Sequence, residues 1–220
     1  MFEKVDLNSI TDGNLYNRSD IVNISCNNCD GCSDCCKTVG ETITLDPYDI
    51  YNLSKALKKS FVDMMEKEIE IRDIDGVILP NILISEETGA CSMLDSNGRC
   101  TIHKSRPGYC RLYPLGRLYN DEGDFNYIFQ VNECPYPQKG PVRISDWLGI
   151  TELEKYEEYI KRWHALCRNL GNYALTTDDK DAAKKAAWAP IRIFYERPYN
   201  TNQDFYTQFY ERLFSLYPAK

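Results

Sequence analysis

Five cysteines fall within one short stretch, the run C-N-N-C-D-G-C-S-D-C-C from Cys26 to Cys36. The spacers are Asn, Asp, Gly and Ser, residues that favour turns over helix or strand. Such a loop can fold back so that several sulfurs converge, with backbone N–H groups free to point at them. A single C-x-x-C is a weak signal. Three consecutive C-x-x-C steps, with a further cysteine next door, are a strong one, similar to the bacterial ferredoxin run C-x₂-C-x₂-C-x₃-C-P but ending in an adjacent pair.

Whether those thiols crosslink or hold metal depends on the compartment. The chain has ten cysteines in 220 residues. Its N-terminal stretch is polar, broken by Asp6, Asp12, Arg18 and Asp20, and lacks the apolar core of a secretion signal. Val77 to Ile84 is among the longest apolar stretches and is far too short to span a bilayer. The expected compartment is the cytoplasm, where thiols stay reduced and clustered cysteines serve as metal ligands or catalytic groups. The net charge of −7 argues against general nucleic-acid binding, and no membrane association is expected.

A second group comprises Cys91, Cys100 and Cys110, with Cys134 later, and only Cys167 lies beyond. Asn97-Gly98 is a tight-turn signal that folds Cys91 back towards Cys100. Cys134 precedes Pro135, again a ferredoxin-like pairing. On an extended chain neighbouring side chains point to opposite sides, so Cys35 and Cys36 are expected to serve two nearby sites. Cys29, Cys32, Cys35, Cys36, Cys91, Cys100, Cys110 and Cys134 together supply enough thiolates for two four-thiolate sites. Cys26 is an additional candidate.

Around these residues the pattern predicts an irregular α+β fold. Residues 20–140 form a loop-rich cysteine-cluster core with a few short strands and helices, and 141–220 form a helical extension packed on it. Asp46 as N-cap, Pro47 at the first helical position, and Ile50, Leu53 and Leu57 on one face predict a helix. A short helix is expected over 61–69, an edge strand over 77–84 because of Pro80, and a strand over 127–131. A long helix capped by Ser145 is expected to run to Leu170 and end at Gly171. Another is expected over 178–189, broken before Pro190, and a third from Thr201 carrying Phe205, Phe209, Leu213 and Leu216. At helical spacing the aromatics Trp163, Trp188, Phe194, Tyr195, Phe205 and Phe209 read as core rather than as a base-stacking surface.

The segments C-D-G-C-S-D-C-C, I-T-L-D-P-Y-D-I and C-S-M-L-D…G-R-C-T-I-H-K-S-R-P-G-Y-C-R-L-Y-P carry a family resemblance. They resemble the YkgJ-type CxxCxxCC cysteine-cluster family, described as zinc- or iron-chelating and similar to part of the flagellin lysine methylases. The resemblance spans about residues 29–140 and implies the eight cysteines above as ligands. Cys26 is extra to the family pattern, Met93 and His103 stand where Phe and Tyr are usual, and no glycine-rich tail follows Pro135.

Four thiolates suit zinc and iron–sulfur clusters alike. Zinc knuckles usually come as two separated C-x₂₋₄-C pairs. A dense run followed by distant single cysteines and a C-P fits iron–sulfur, expected as [4Fe-4S], with zinc as the alternative. Lys104, Arg106 and Arg111 flank Cys100 and Cys110, either as charges that raise a cluster's reduction potential or as solvated loop charges. His103 reads as a neighbour rather than a ligand. His164 and Cys167 share a helix face and read as packing. The expected function is electron transfer, or a redox or structural component of a larger enzyme system with a protein partner. A structural or partner-binding zinc protein is the alternative, and a methyltransferase-related enzyme a weaker one, since neither G-x-G-x-x-G nor G-x-S-x-G occurs and there are two histidines.

Overall fold

Two buried carboxylates start the first substantial helix. Asp46 accepts from the Asp49 N–H (2.9 Å) and Asp49 returns the bond to the Asp46 N–H (3.0 Å), a capping box that opens α3, Pro47–Leu57, where it was expected. The computed structural model describes residues 7–25, 32–38, 43–136 and 139–216. Before α3 come α1 (Leu7–Ile10), β1 (Ile21–Ser25) and a single helical turn, α2 (Cys35–Thr38). After it come α4 (Phe61–Met64), β2 (Ile69–Ile74), β3 (Val77–Ile82), α5 (Gly108–Leu112), β4 (Leu115–Tyr119), β5 (Phe125–Phe129) and β6 (Gly140–Arg143). The chain ends in helices α6 (Ile144–Leu148), α7 (Leu153–Thr176), α8 (Lys180–Pro190) and α9 (Phe205–Ser215). This is an irregular α+β fold. Among the described residues its strands form small antiparallel pairs, β1 with β6, β2 with β3 and β4 with β5.

The β2–β3 hairpin turns on Asp75-Gly76, both at positive φ (51° and 84°), the primed geometry that matches the twist of two strands. Pro80 sits inside β3, opposite Ile71. Its carbonyl accepts from Leu45 N–H (2.8 Å), and Ile82 N–H donates to Ile43 O (3.0 Å), so β3 is flanked on its other side by residues 43–45. The N–H that proline lacks would have met Leu45 O. The Tyr195 hydroxyl donates to that oxygen instead, at 2.8 Å.

Several expected boundaries move. The helix expected over 61–69 is one turn, α4, and Ile69 already belongs to β2. The long helix expected from Ser145 is divided: Gly149 (φ 57°) ends α6, and α7 restarts after Glu152, itself left-handed. Gly171 lies inside α7 rather than ending it. A Cβ there would overlap the Asp75 carbonyl oxygen, so glycine lets the hairpin tip rest on the helix. Pro190 does not break its helix. The chain widens after it into a π-helical turn, Ile191–Tyr195, with Glu196 N–H on Ile191 O (3.0 Å), which absorbs the missing donor.

The buried apolar residues form one cluster running from Val22 to Leu213. Its densest part is aromatic, as expected. Tyr159 of α7 meets Phe209 of α9 edge-on at 4.6 Å, Trp163 meets Phe194 at 5.2 Å, and Tyr48 of α3 meets Phe205 at 5.1 Å. Buried Glu157 ties α7 to the strands: it accepts from the Tyr127 hydroxyl (2.9 Å) and from Arg18 Nη1 (2.5 Å). No helix among the described residues is long and apolar enough to cross a membrane.

Candidate metal centre

The cysteines gather because hydrogen bonds draw their segments together. Asp95 N–H donates to Arg99 O (2.9 Å) and Gly98, at φ 70°, completes the turn, so Cys91 and Cys100 lie on adjacent strands of chain. Cys91 N–H donates to Cys36 O (2.9 Å), which docks the first cysteine run on the second group. Arg99 Nη1 reaches Cys32 O (3.4 Å). From below, Asp49 Oδ1 accepts from Gly108 N–H (2.8 Å) and holds the first turn of α5, which presents Cys110.

The result is a chamber of about 1050 Å³. Cys32, Cys35, Cys36, Cys91, Cys100 and Cys110 all line it. Cys134 is half-buried beside Tyr113, whose hydroxyl donates to Glu133 O next door. Cys26 and Cys29 lie outside the described residues. Among the described residues, no three Cys, His, Asp or Glu side chains converge on a point where one ion would touch them all. Cys35 and Cys36 are not extended as expected. They occupy α2, with Cys36 N–H on Ser33 O (3.0 Å). The idea of two sites therefore loses its argument from opposed side chains and keeps only the thiolate count.

Electrostatically these thiols suit a cation. A hydrogen bond that the Cys35 thiol donates to Cys36, then burial, pushes Cys35 far up. Burial, then Cys91 and Asp49, does the same to Cys110. Burial raises Cys91 and Cys100, each partly offset by a backbone N–H two residues on, from Met93 (3.5 Å to Cys91 Sγ) and from Ile102. Several thiolates in one buried space repel one another, and a bound metal removes that penalty by holding them deprotonated. The soft donor set and the matched N–H donors to sulfur fit a thiophilic metal centre.

Charged neighbours divide by role. Arg111 staples backbone, donating to Arg106 O (3.0 Å) and Lys104 O (2.6 Å), and Lys104 is exposed. Arg106 favours the ionised forms of Cys35 and Cys100, and its Nη1 lies 2.7 Å from His103 Nε2. His103 is thus engaged by an arginine. The carboxylate pair Asp46 and Asp49 went unread as a pair in the sequence, although D-x-x-D before an apolar run was its signal. Both are buried, and burial followed by the Asp46 charge holds Asp49 well above the usual carboxylate range.

Residues 28–135 match a family model named CxxCxxCC, with the description "putative zinc- or iron-chelating domain". This segment is a CxxCxxCC domain. No curated protein and no solved structure matches the chain. The match supports a metal-binding cysteine cluster, and its description covers zinc and iron alike. The CxxCxxCC domain supplies six of the seven described cysteines that line the chamber, and Cys134, whereas α7, which also lines the chamber, lies outside the match.

From α7 come His164 and Cys167, both lining the chamber. His164 stacks on Tyr119 at 3.6 Å, with planes 8° apart. Burial, then Arg168 and Arg117, holds it below the usual imidazole value of 6.5. A histidine lowered on folding stabilises the fold above its unfolded pKa, and that stability drains as pH falls towards the folded value. The melting temperature is therefore expected to drop between roughly pH 7 and pH 5, and the His164→Gln variant to show a shallower drop. Parallel curves for the two proteins would contradict this.

Proposed function

We propose that the chamber holds iron in cysteine-ligated iron–sulfur form, [4Fe-4S] in type, and that the protein works in the cytoplasm in electron transfer or as a redox or structural component of a larger enzyme system. The observation that carries this reading is the arrangement of thiols from separate segments around one roomy chamber, with backbone N–H groups donating to sulfur. A lone zinc ion needs four converging ligands and no such space. Cluster sulfurs, by contrast, accept N–H donors that tune the reduction potential. Cys29, Cys32, Cys35, Cys36, Cys91, Cys100, Cys110 and Cys134 would hold the iron, enough for two clusters sharing the chamber. Arg106, close to Cys35 and Cys100, favours the reduced, more negative state. A protein partner would exchange the electrons.

The test is anaerobic purification. The expected product is brown, carries iron with acid-labile sulfide, and has a broad visible absorption that dithionite bleaches. Colourless protein with stoichiometric zinc overturns the proposal in favour of a structural zinc centre, the other metal the family description allows.

A further inference from the structure

The thiols account for only part of the chamber lining. β4 and α7 also line it, and β4 contributes a guanidinium with no carboxylate partner. Arg117 lines the chamber from β4. Its Nη2 donates to the Tyr156 hydroxyl (3.2 Å), and its guanidinium carbon lies 5.5 Å from the ring centroids of both Phe125 and Tyr156. Among the described residues no Asp or Glu comes within ion-pair distance of it, and its buried Nε–H has no hydrogen-bond partner. The nearest buried carboxylate is one hydroxyl away: Tyr156 Oη is 3.5 Å from Asp46 Oδ2, and Asp46 is already engaged by the Asp49 N–H. A half-buried cation with a buried, unpartnered N–H and no adjacent counter-ion is costly. His164, stacked on Tyr119 two residues along β4, also has a buried, unpartnered nitrogen, Nδ1. Arg168, one turn further along α7, is exposed and contributes to the chamber lining. Leu115, Ile160 and Trp163 supply apolar wall.

We propose that this part of the chamber is a binding recess for a small organic carboxylate, its head on Arg117 and its apolar body against Leu115, Ile160 and Trp163. A guanidinium presents a flat fork that matches a carboxylate, and the bond strengthens where water is excluded. The single charge of a carboxylate answers the charge of the half-buried Arg117 guanidinium. A phosphate dianion would need further donors at the same depth. The recess places its occupant in the same space as the thiols, as a substrate or effector of the metal centre would be placed. Its binding rests on this chain's own side chains and holds whichever metal the thiols carry.

Calorimetry on the full-length protein as purified, with metal content measured alongside, tests this separately from the iron–sulfur reading. Acetate, isovalerate and phenylacetate are titrated, each against its neutral amide, with inorganic phosphate as a further probe. The larger acids are expected to bind at least about tenfold more tightly than their amides, the discrimination one charged hydrogen-bonded pair provides, and more tightly than phosphate. Arg117→Gln is expected to reduce the acids to the level of the amides, and Arg117→Lys to keep part of the preference. Equal affinity of acid and amide, tighter binding of phosphate, no binding of any acid at millimolar concentration, or full acid preference in Arg117→Gln would each overturn the proposal. The acid–amide comparison on the unaltered protein decides even where the glutamine variant fails to fold.

Discussion

The Cys110→Ser protein is expected to lose about half of its iron or more, the share of one four-thiolate cluster out of two, while Cys167→Ala keeps its full complement. Both thiols are deeply set and both line the same chamber. They differ in what surrounds them. Cys110 stands among Cys91, Cys35 and Cys100, on a helical turn whose first N–H is fixed by Asp49. Cys167 stands on α7, and the charge that acts on it is Asp46 rather than another thiol. Serine preserves the size of the Cys110 side chain while replacing a soft donor with a hard one, so the loss reports ligation rather than packing. Iron and sulfide assays on both variants, with circular dichroism as a check on folding, settle the comparison. Full iron in Cys110→Ser, or equal loss in Cys167→Ala, would remove Cys110 from the ligand set.

Gly171→Ala carries the largest expected effect on stability. Alanine ordinarily favours a helix over glycine by about 1 kcal/mol. Here the new methyl meets the backbone carbonyl of Asp75, at the tip of a hairpin that cannot turn aside as a flexible side chain would. The Asp75-Gly76 tip is itself pressed on α7, since a Cβ on Gly76 would lie 2.7 Å from Leu175 Cγ. Overpacking against backbone costs about 3 kcal/mol, which outweighs the propensity gain and leaves a net loss of about 2 kcal/mol. For a chain of this size that lowers the melting temperature by about 4–8 °C. Asn172→Ala, exposed on the next residue of the same helix, is the control and is expected to change it little. A Gly171→Ala protein melting at or above the unaltered one would show that the hairpin does not bear on the helix.

What could be read in the sequence was local. Asp46 and Pro47 announce α3, Asn97-Gly98 announces the turn between Cys91 and Cys100, and the aromatic spacing announces the core, because each depends on residues a few positions apart. Asp75-Gly76 is an equally local signal for the β2–β3 hairpin, but the expected helix over 61–69 and strand over 77–84 leave residues 70–76 unassigned. The rest depended on distant partners. Ile21–Ser25 becomes a strand only because 140–143 pairs with it. Gly171 reads as a helix end until the hairpin beside it is known. Cys35 and Cys36 form a helical turn rather than an extended pair, which their spacing did not show. Six of the seven described cysteines that line the chamber stood out in the sequence as one cluster. The half-buried Arg117 did not, because nothing local marks a cation whose surroundings are assembled from β4, β5 and α7.

The stretch that carries the family pattern is not the stretch that folds. Strand β1 begins before it, and its partner β6 follows it. The carbonyl that Pro80 leaves unanswered inside the pattern is satisfied by Tyr195, sixty residues past its end. A recombinant fragment trimmed to 28–135 would shed both strands of the β1–β6 sheet, the Tyr195 hydroxyl and the whole α7 wall. Its thiols would then face solvent and oxygen rather than protein, so reconstitution of the metal centre calls for the longer chain.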